Sequence, residues 1–242
     1  MSRTLVVGDI HGALKALKQV LERVKINKND HLIFLGDYVD GWSDTAKTID
    51  YLIKLKASHN CTFIRGNHDE LCYDWLKTGK NNPMWLYHGG QTTVDSYQNV
   101  GKDIRQIHID FLEELENYFL DTKKRLFIHA GYTNLHGVAH EYYSRMFYWD
   151  RTLWEMALSI DPAITESDRY YPKRLIHYKE IYIGHTPVTR IGKETPVKAA
   201  NVWNIDTGAA FKGPLTIMDV DSKKFWQSDA VYKLYPDENG RN

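Results

Sequence analysis

The sequence predicts an α/β fold, because short apolar runs alternate with amphipathic helical stretches from its beginning. The runs at residues 4–7, 32–35 and 62–64 are typical of buried strands. Between the first two runs, one helical face carries Leu14, Leu17, Leu21 and Val24. The order β-α-β-α-β indicates a largely parallel sheet with helices packed on it.

The composition is that of one globular domain. The chain has 242 residues, of which 43% are hydrophobic and 26% charged. We see no linker or repeat, so residues 1–242 are predicted to form a single domain. Within it we expect a mostly helical insert around residues 70–125 and a polar, peripheral tail over the last ten residues.

The charge balance argues against two classes of partner. Lys and Arg number 31, and Asp and Glu also number 31. No bulk field therefore attracts nucleic acid or an anionic membrane, and anion recognition has to be local. Neither a signal peptide nor an apolar stretch of membrane-spanning length is present, so we expect a cytoplasmic protein of undefined oligomeric state.

Polar side chains follow five predicted strands at the point where each strand ends. Two of these strands come later in the chain, at residues 125–128 and 181–183. Ligands of such sheets bind beyond the carboxyl ends of the strands, which suggests a common site. The polar residues are Asp9 and His11, Asp37 and Asp40, Asn67 and His68, His129, and His185.

Each of these residues alone is explained by an ordinary turn, because Asp-Gly and Gly-Asn are common turn sequences. Five such junctions, each with a nearby glycine, favour one shared site instead. Carboxylate, imidazole and amide oxygen suit a divalent ion such as Mn²⁺, Fe or Zn²⁺. Asp37 has two oxygens and is able to bridge two ions, and ions about 3.5–4 Å apart clamp a displacement at phosphorus.

Five motifs carry a family resemblance that runs from about residue 3 to 220. They resemble the calcineurin-like metallophosphoesterases and, within them, the phosphoprotein phosphatase family on its bacterial and phage side, next to the symmetrical diadenosine tetraphosphatases. The resemblance implies a central β-sandwich of mixed sheets flanked by helices. The motifs are Gly8-Asp9-Ile10-His11-Gly12, Gly36-Asp37-Tyr38-Val39-Asp40, Gly66-Asn67-His68-Asp69-Glu70, His129-Ala130-Gly131 and Gly184-His185-Thr186.

The same resemblance implies two metal ions, with manganese expected and iron or zinc as alternatives. One ion would be held by Asp9, His11 and Asp37. The other would be held by Asp37, Asn67, His129 and His185. Thr186 and Pro187 follow His185 where nuclease-like relatives have a second histidine, and this favours the phosphatase branch.

The resemblance also assigns residues to proton transfer and to phosphate binding. His68 would be the general acid, and Asp40 would orient it. Arg65 would bind the phosphate, because a planar guanidinium matches two phosphate oxygens. Arg151, in a Trp-x-Arg pattern, is a second candidate, with a surface salt bridge as its alternative role.

One departure from the family pattern concerns the phosphate. The family usually has an arginine after the aspartate that corresponds to Asp40, but here Gly41 and Trp42 follow it. The replacement could be Arg151, Arg65 alone or a lysine of the helical insert. Trp42 could instead form an apolar wall.

The sequence therefore predicts two-metal hydrolysis of phosphomonoesters, by attack of a metal-bound hydroxide with His68 as the acid. The expected partner is either a protein phosphorylated on serine or threonine, which would be the substrate, or a small phosphoester. One alternative is a diadenosine tetraphosphate pyrophosphohydrolase. The other is a metal-holding binding module without catalysis.

Overall fold

A computed structural model describes residues 2–241. Its strands are β1 Thr4–Val7, β2 His31–Phe34, β3 Asn60–Phe63, β4 Tyr118–Leu120, β5 Arg125–Ile128, β6 Glu180–Ile183, β7 Val197–Ala199, β8 Val202–Asn204, β9 Thr216–Asp219 and β10 Phe225–Gln227. Its α-helices are α1 Leu14–Val24, α2 Thr45–Lys56, α3 Asn67–Thr78, α4 Pro83–Trp85, α5 Gln91–Ser96, α6 Lys102–Glu113, α7 Met146–Trp149, α8 Thr152–Ser159 and α9 Val231–Leu234.

The strands form two five-stranded sheets that pack face to face. The first sheet has the order β10-β9-β1-β2-β3, and the second has the order β4-β5-β6-β8-β7. Strands β1 to β3 run parallel, as the β-α-β order predicts, and β9 is antiparallel to β1. Apolar side chains of both sheets share one buried cluster, which includes Val6, Ile33, Phe127 and Tyr182. The predicted β-sandwich of mixed sheets is confirmed.

Helices cover the outer face of each sheet. The first sheet packs against α1, α2, α3 and α6, and the second packs against α7 and α8. In α1 the four predicted inward residues are all buried. Each outer layer thus closes one side of the sandwich and leaves the carboxyl ends of the parallel strands open at one edge.

β4 and β7 are among the strands that the sequence analysis does not predict. β4 falls inside the predicted helical insert and pairs antiparallel to β5, with Phe119 opposite Phe127. β7 pairs antiparallel to β8. Both span three residues, which is too short for an alternating pattern to be recognised in the sequence.

The C-terminal tail packs against the body of the protein more closely than a peripheral tail would. Tyr235 is buried, and its ring lies 5.3 Å from the ring of Trp42. The backbone N–H of Arg241 donates to the Ala210 carbonyl at 2.8 Å. These contacts are made by a few apolar anchors in an otherwise polar segment, so the expectation of a peripheral tail does not describe them.

Among residues 2–241, no helix combines the length and the apolar character needed to cross a membrane.

Candidate metal centre

The six predicted ligands come together at the carboxyl ends of five strands. The first sheet provides Asp9, His11, Asp37 and Asn67, and the second sheet provides His129 and His185. All six side chains are buried. They include two groups of three whose donor atoms lie within 4.8 Å of one another, namely Asp9, His11 and Asp37, and Asp37, His129 and His185.

Asp37 is common to both groups and lies between them. Its Oδ2 atom is 3.4 Å from His11 Nε2 and 3.5 Å from His129 Nε2. On the far side, Asn67 Oδ1 lies 2.9 Å from His185 Nδ1 and 3.3 Å from His129 Nε2. This arrangement matches a bridging carboxylate with separate ligands on either side, and the ligand roles stay predictions.

The backbone around these residues is strained. His11, Asp37, Asp40 and His185 have φ angles of 52°, 53°, 69° and 66°. Residues with a side chain rarely adopt this left-handed conformation, and when they do, they cluster at functional sites. Two glycines allow the close packing, because a Cβ atom on Gly66 would overlap Asp37, and one on Gly184 would overlap Asp9.

Backbone carbonyls fix the orientation of two histidines. His11 Nδ1 lies 3.0 Å from the Val39 carbonyl, and His129 Nδ1 lies 2.8 Å from the Leu35 carbonyl. A carbonyl only accepts, so each Nδ1 carries a proton. In the neutral ring, each Nε2 is then free as a ligand, which is how second-shell carbonyls orient metal-binding histidines.

Two buried polar atoms at the centre lack a hydrogen-bond partner in the described chain, Asp9 Oδ1 and His185 Nε2. Such atoms are costly to leave unpaired. Burial and the neighbouring Asp206 carboxylate also raise the pKa of Asp9 well above its usual value. Bound cations would satisfy the two atoms and relieve the repulsion between the Asp9 and Asp206 carboxylates, so the residues present fit divalent ions.

Asp69 organises the loops of the centre, although the sequence assigns it no role. Its carboxylate accepts from the backbone N–H groups of Asp37, Tyr38 and Gly66, each at 2.8 Å. Burial and the nearby Asp37 charge raise the pKa of Asp69 to about 7. Its position within the motif at residues 66–70 was the available signal in the sequence.

His68 and Asp40 form a buried pair beside the candidate ligands. His68 Nδ1 lies 2.5 Å from Asp40 Oδ2, and the His68 ring is 5.1 Å from the ring of His11. Asp40 also accepts from Trp85 Nε1 at 2.6 Å and from Thr93 Oγ1 at 2.5 Å. Sequence reasoning missed Trp85 and Thr93, because they come from the insert and carry no motif.

Three arginines line the cavity above the centre, Arg151, Arg190 and Arg241. Arg151 donates to Thr186 Oγ1 at 3.3 Å, and no Asp or Glu side chain of residues 2–241 lies within 4.0 Å of its guanidinium. The surface salt bridge considered for Arg151 is therefore not formed. The sequence did not identify Arg190 or Arg241.

Arg65 lies elsewhere. Its Nη2 donates to the carbonyls of Leu112 and Glu113 at 2.9 and 3.2 Å, at the end of α6. The structure does not bring it to the cavity lining, so its phosphate-binding role stays a prediction. Trp42 forms no wall of the cavity either, because it is fully buried and donates from Nε1 to the Ala209 carbonyl at 2.8 Å.

A two-layered β-sandwich with buried Asp, His and Asn side chains at its strand ends, next to a His–Asp pair, is typical of metal-dependent phosphoester hydrolases. Residues 2–208 match the model of the calcineurin-like phosphoesterase family. The chain belongs to that family, as its motifs predict.

Two relatives of the chain have names of different kinds. Serine/threonine-protein phosphatase 1 of Salmonella typhimurium is 27% identical, over 88% of this chain and 89% of its own length. An asymmetrical bis(5'-nucleosyl)-tetraphosphatase, PrpE of Anoxybacillus flavithermus, is 28% identical over 88% of each chain. The fold also resembles a serine/threonine phosphatase structure from Saccharomyces cerevisiae, with a TM-score of 0.61 and 15% identity over 95% of this chain and 80% of that one.

Proposed function

We propose that the protein hydrolyses phosphomonoesters, with phosphoserine and phosphothreonine in proteins as its main substrate class. The observation that carries this proposal is the His68–Asp40 pair, which lies beside the candidate ligands and below three arginines. A phosphomonoester needs a proton on its leaving oxygen and positive charge around its phosphoryl group. Both are supplied by residues of this cavity.

The six clustered side chains would hold two divalent ions, with manganese as the proposed metal. When bound, such ions supply Lewis-acid activation of water and neutralise charge at phosphorus. His68 then donates its proton to the leaving oxygen from Nε2, because Asp40 occupies Nδ1. Trp85 and Thr93 hold Asp40 in place, so the ring has one defined orientation.

Metal dependence distinguishes this enzyme from a non-catalytic binding module. Protein stripped with EDTA and reloaded with Mn²⁺ is expected to hydrolyse p-nitrophenyl phosphate only in the loaded state. A loaded protein that binds metal without turnover would support the binding module instead.

A second candidate function is hydrolysis of dinucleoside tetraphosphates, which one structural feature supports. A groove that shares Phe211 and Arg241 with the cavity is also lined by Lys212, Tyr232 and Lys233. Aromatic rings and lysines next to a phosphate site suit a nucleoside with a phosphate chain. Relatives named as tetraphosphatases also support this candidate.

The two substrates are separated by assaying one Mn²⁺-loaded preparation on both. A phosphoserine peptide and diadenosine tetraphosphate are compared by kcat/KM, with products identified by chromatography. Turnover of the dinucleotide alone would contradict the protein phosphatase proposal. Turnover of the peptide alone would exclude the dinucleotide as the substrate.

A further inference from the structure

The backbone at Gly41, directly after Asp40, leaves space that is filled by the side chain of Arg241, which is distant in the sequence. Gly41 has a φ of +99°, and a Cβ atom there would lie 3.1 Å from Arg241 Cγ. A Cβ atom on Gly89 would lie 2.9 Å from the same Cγ. The two glycines are paired, since Gly41 N–H donates to the Gly89 carbonyl at 3.2 Å. The stem of Arg241 therefore packs on a surface that only glycines provide.

Arg241 also lines the cavity above the centre, together with Asp37 and His68. Its Nε donates to the His88 carbonyl at 3.0 Å. Within residues 2–241, its two terminal amino groups make no hydrogen bond, and no Asp or Glu side chain lies within 4.0 Å. The positive charge of Arg241 is thus held in position by the His88 carbonyl, but no carboxylate of the described residues forms an ion pair with it.

Arg241 is close enough to affect the other charged groups of the site. Burial lowers the pKa of His11, and Asp37 opposes this effect while the charge of Arg241 adds to it. Burial, Arg190 and Arg241 together lower the pKa of Arg151, while Glu155 and Asp37 oppose this effect. Like charges that have no carboxylate within 4.0 Å among the described residues favour the binding of an anion, because the anion reduces their mutual repulsion.

We propose that Arg241 binds the phosphoryl group of the substrate and replaces, from the C-terminal tail, the arginine that is missing after Asp40. This inference rests on the proposed phosphoester hydrolysis. Its ligand class is a phosphate dianion, whether free or on a phosphomonoester, because a guanidinium fork pairs with two phosphate oxygens.

A purely structural role for this side chain is less consistent with the contacts of the tail. Other groups already hold the tail in place, since Ser43 bonds Glu238 at 2.6 Å and Tyr235 bonds Asp44 at 2.8 Å. The Arg241 backbone bonds Ala210 independently of its side chain. Apart from the Nε bond to the His88 carbonyl, the charged end makes no hydrogen bond within residues 2–241, so its two terminal amino groups are available to a ligand.

The test compares Arg241→Gln with Arg23→Gln in Mn²⁺-loaded protein. Arg23 is the matched control, because it bonds Asp229 at 2.6 Å and so also holds the C-terminal region, outside the cavity. For p-nitrophenyl phosphate we expect Arg241→Gln to lower kcat/KM by roughly 10–100-fold, because it removes a charge-assisted contact to the phosphate. Most of this loss should be a rise in KM. Metal content and melting temperature should match those of the control.

Two further variants separate ligand binding from folding. Arg241→Lys keeps the charge but not the planar fork, so its kcat/KM should fall between those of the wild type and Arg241→Gln. Arg241→Ala should regain activity when guanidinium chloride is added at millimolar concentration, which a structural defect would not do. A kcat/KM within twofold of the control, or no rescue by guanidinium, would overturn the inference.

Calorimetry with inorganic phosphate keeps this test separate from the proposed function. Phosphate should bind the wild type and Arg23→Gln equally, and bind Arg241→Gln roughly 10-fold or more weakly. A wild-type protein that hydrolyses no phosphoester would contradict the proposed function. Weaker phosphate binding by Arg241→Gln would even then support the role of Arg241. Equal phosphate binding by all three proteins would overturn that role.

Discussion

The floor and the rim of the cavity are built in different ways. The floor consists of the six candidate ligands with His68 and Asp40, all of them buried and each held by hydrogen bonds or ion pairs. The rim consists of Arg151, Arg190 and Arg241, which are partly or largely exposed and have no Asp or Glu side chain within 4.0 Å in the described chain. The floor residues are thus fixed by their neighbours, whereas the three rim arginines carry charge that no carboxylate of the described chain pairs within 4.0 Å.

The largest effect is expected from Asp37→Asn, because both groups of candidate ligands share this carboxylate. An amide has one oxygen acceptor, so it cannot bridge two ions as a carboxylate does. We expect turnover to fall to background and metal content, measured by mass spectrometry, to fall by at least one ion per chain. Asp50→Asn, at a half-exposed position outside the centre, is the control. Retention of both ions would count against the bridging role.

His68→Asn is expected to lower kcat by roughly 10²–10⁴-fold while metal content stays the same, because it removes only the acid. The loss should be smaller for p-nitrophenyl phosphate than for a phosphoserine peptide, since p-nitrophenolate leaves without a proton. His136→Asn, at an exposed site, controls for the substitution itself. Equal losses on both substrates would argue that His68 does not protonate the leaving group.

Thr93→Val is expected to lower kcat by about tenfold, because the isosteric change removes one hydrogen bond to the buried Asp40 carboxylate. KM and metal content should stay near their wild-type values. Steady-state kinetics with p-nitrophenyl phosphate measures the changes in kcat and KM separately. A change in KM alone would place Thr93 with the rim and not with the floor.

Tyr235→Phe should have the smallest effect, because it removes the hydroxyl that bonds Asp44 and the Lys15 N–H but keeps the ring against Trp42. We expect a loss of about 1 kcal/mol in the free energy of unfolding, measured by urea denaturation. The anchor of the rim arginine loosens, so KM should rise by a small factor and kcat should stay unchanged. A fall in kcat without a change in KM would break the division between rim and floor.

The floor could be predicted from the sequence because its residues lie next to the strands that place them. Asp9, Asp37 and His129 each follow an apolar run within two residues, so each lies at the carboxyl end of a strand that the sequence predicts. The pairing of Asp40 with His68 came from the family resemblance. Asp40 lies in the loop after β2, and His68 lies in the first turn of α3, which follows β3.

The rim could not be predicted, because packing between distant segments brings it together. Arg241 reaches the cavity only because Gly41 and Gly89 lack side chains, a relation that no local pattern reveals. Trp85 and Thr93 likewise reach Asp40 from the two sides of a kink in the insert, where His88 and Gly89 have non-helical backbone angles. The tail has a polar composition, which describes its exposed residues but not its anchors.

The position of Asp37 between the two sheets has a consequence for the lifetime of the protein. Asp37 follows a strand of the first sheet, whereas His129 and His185 follow strands of the second. An ion held by these residues would cross-link the two halves of the sandwich. By linkage, each tenfold excess of free metal over its dissociation constant adds about 1.4 kcal/mol to the free energy of unfolding. Metal supply would then set how long the enzyme survives proteolysis, in addition to how fast it works.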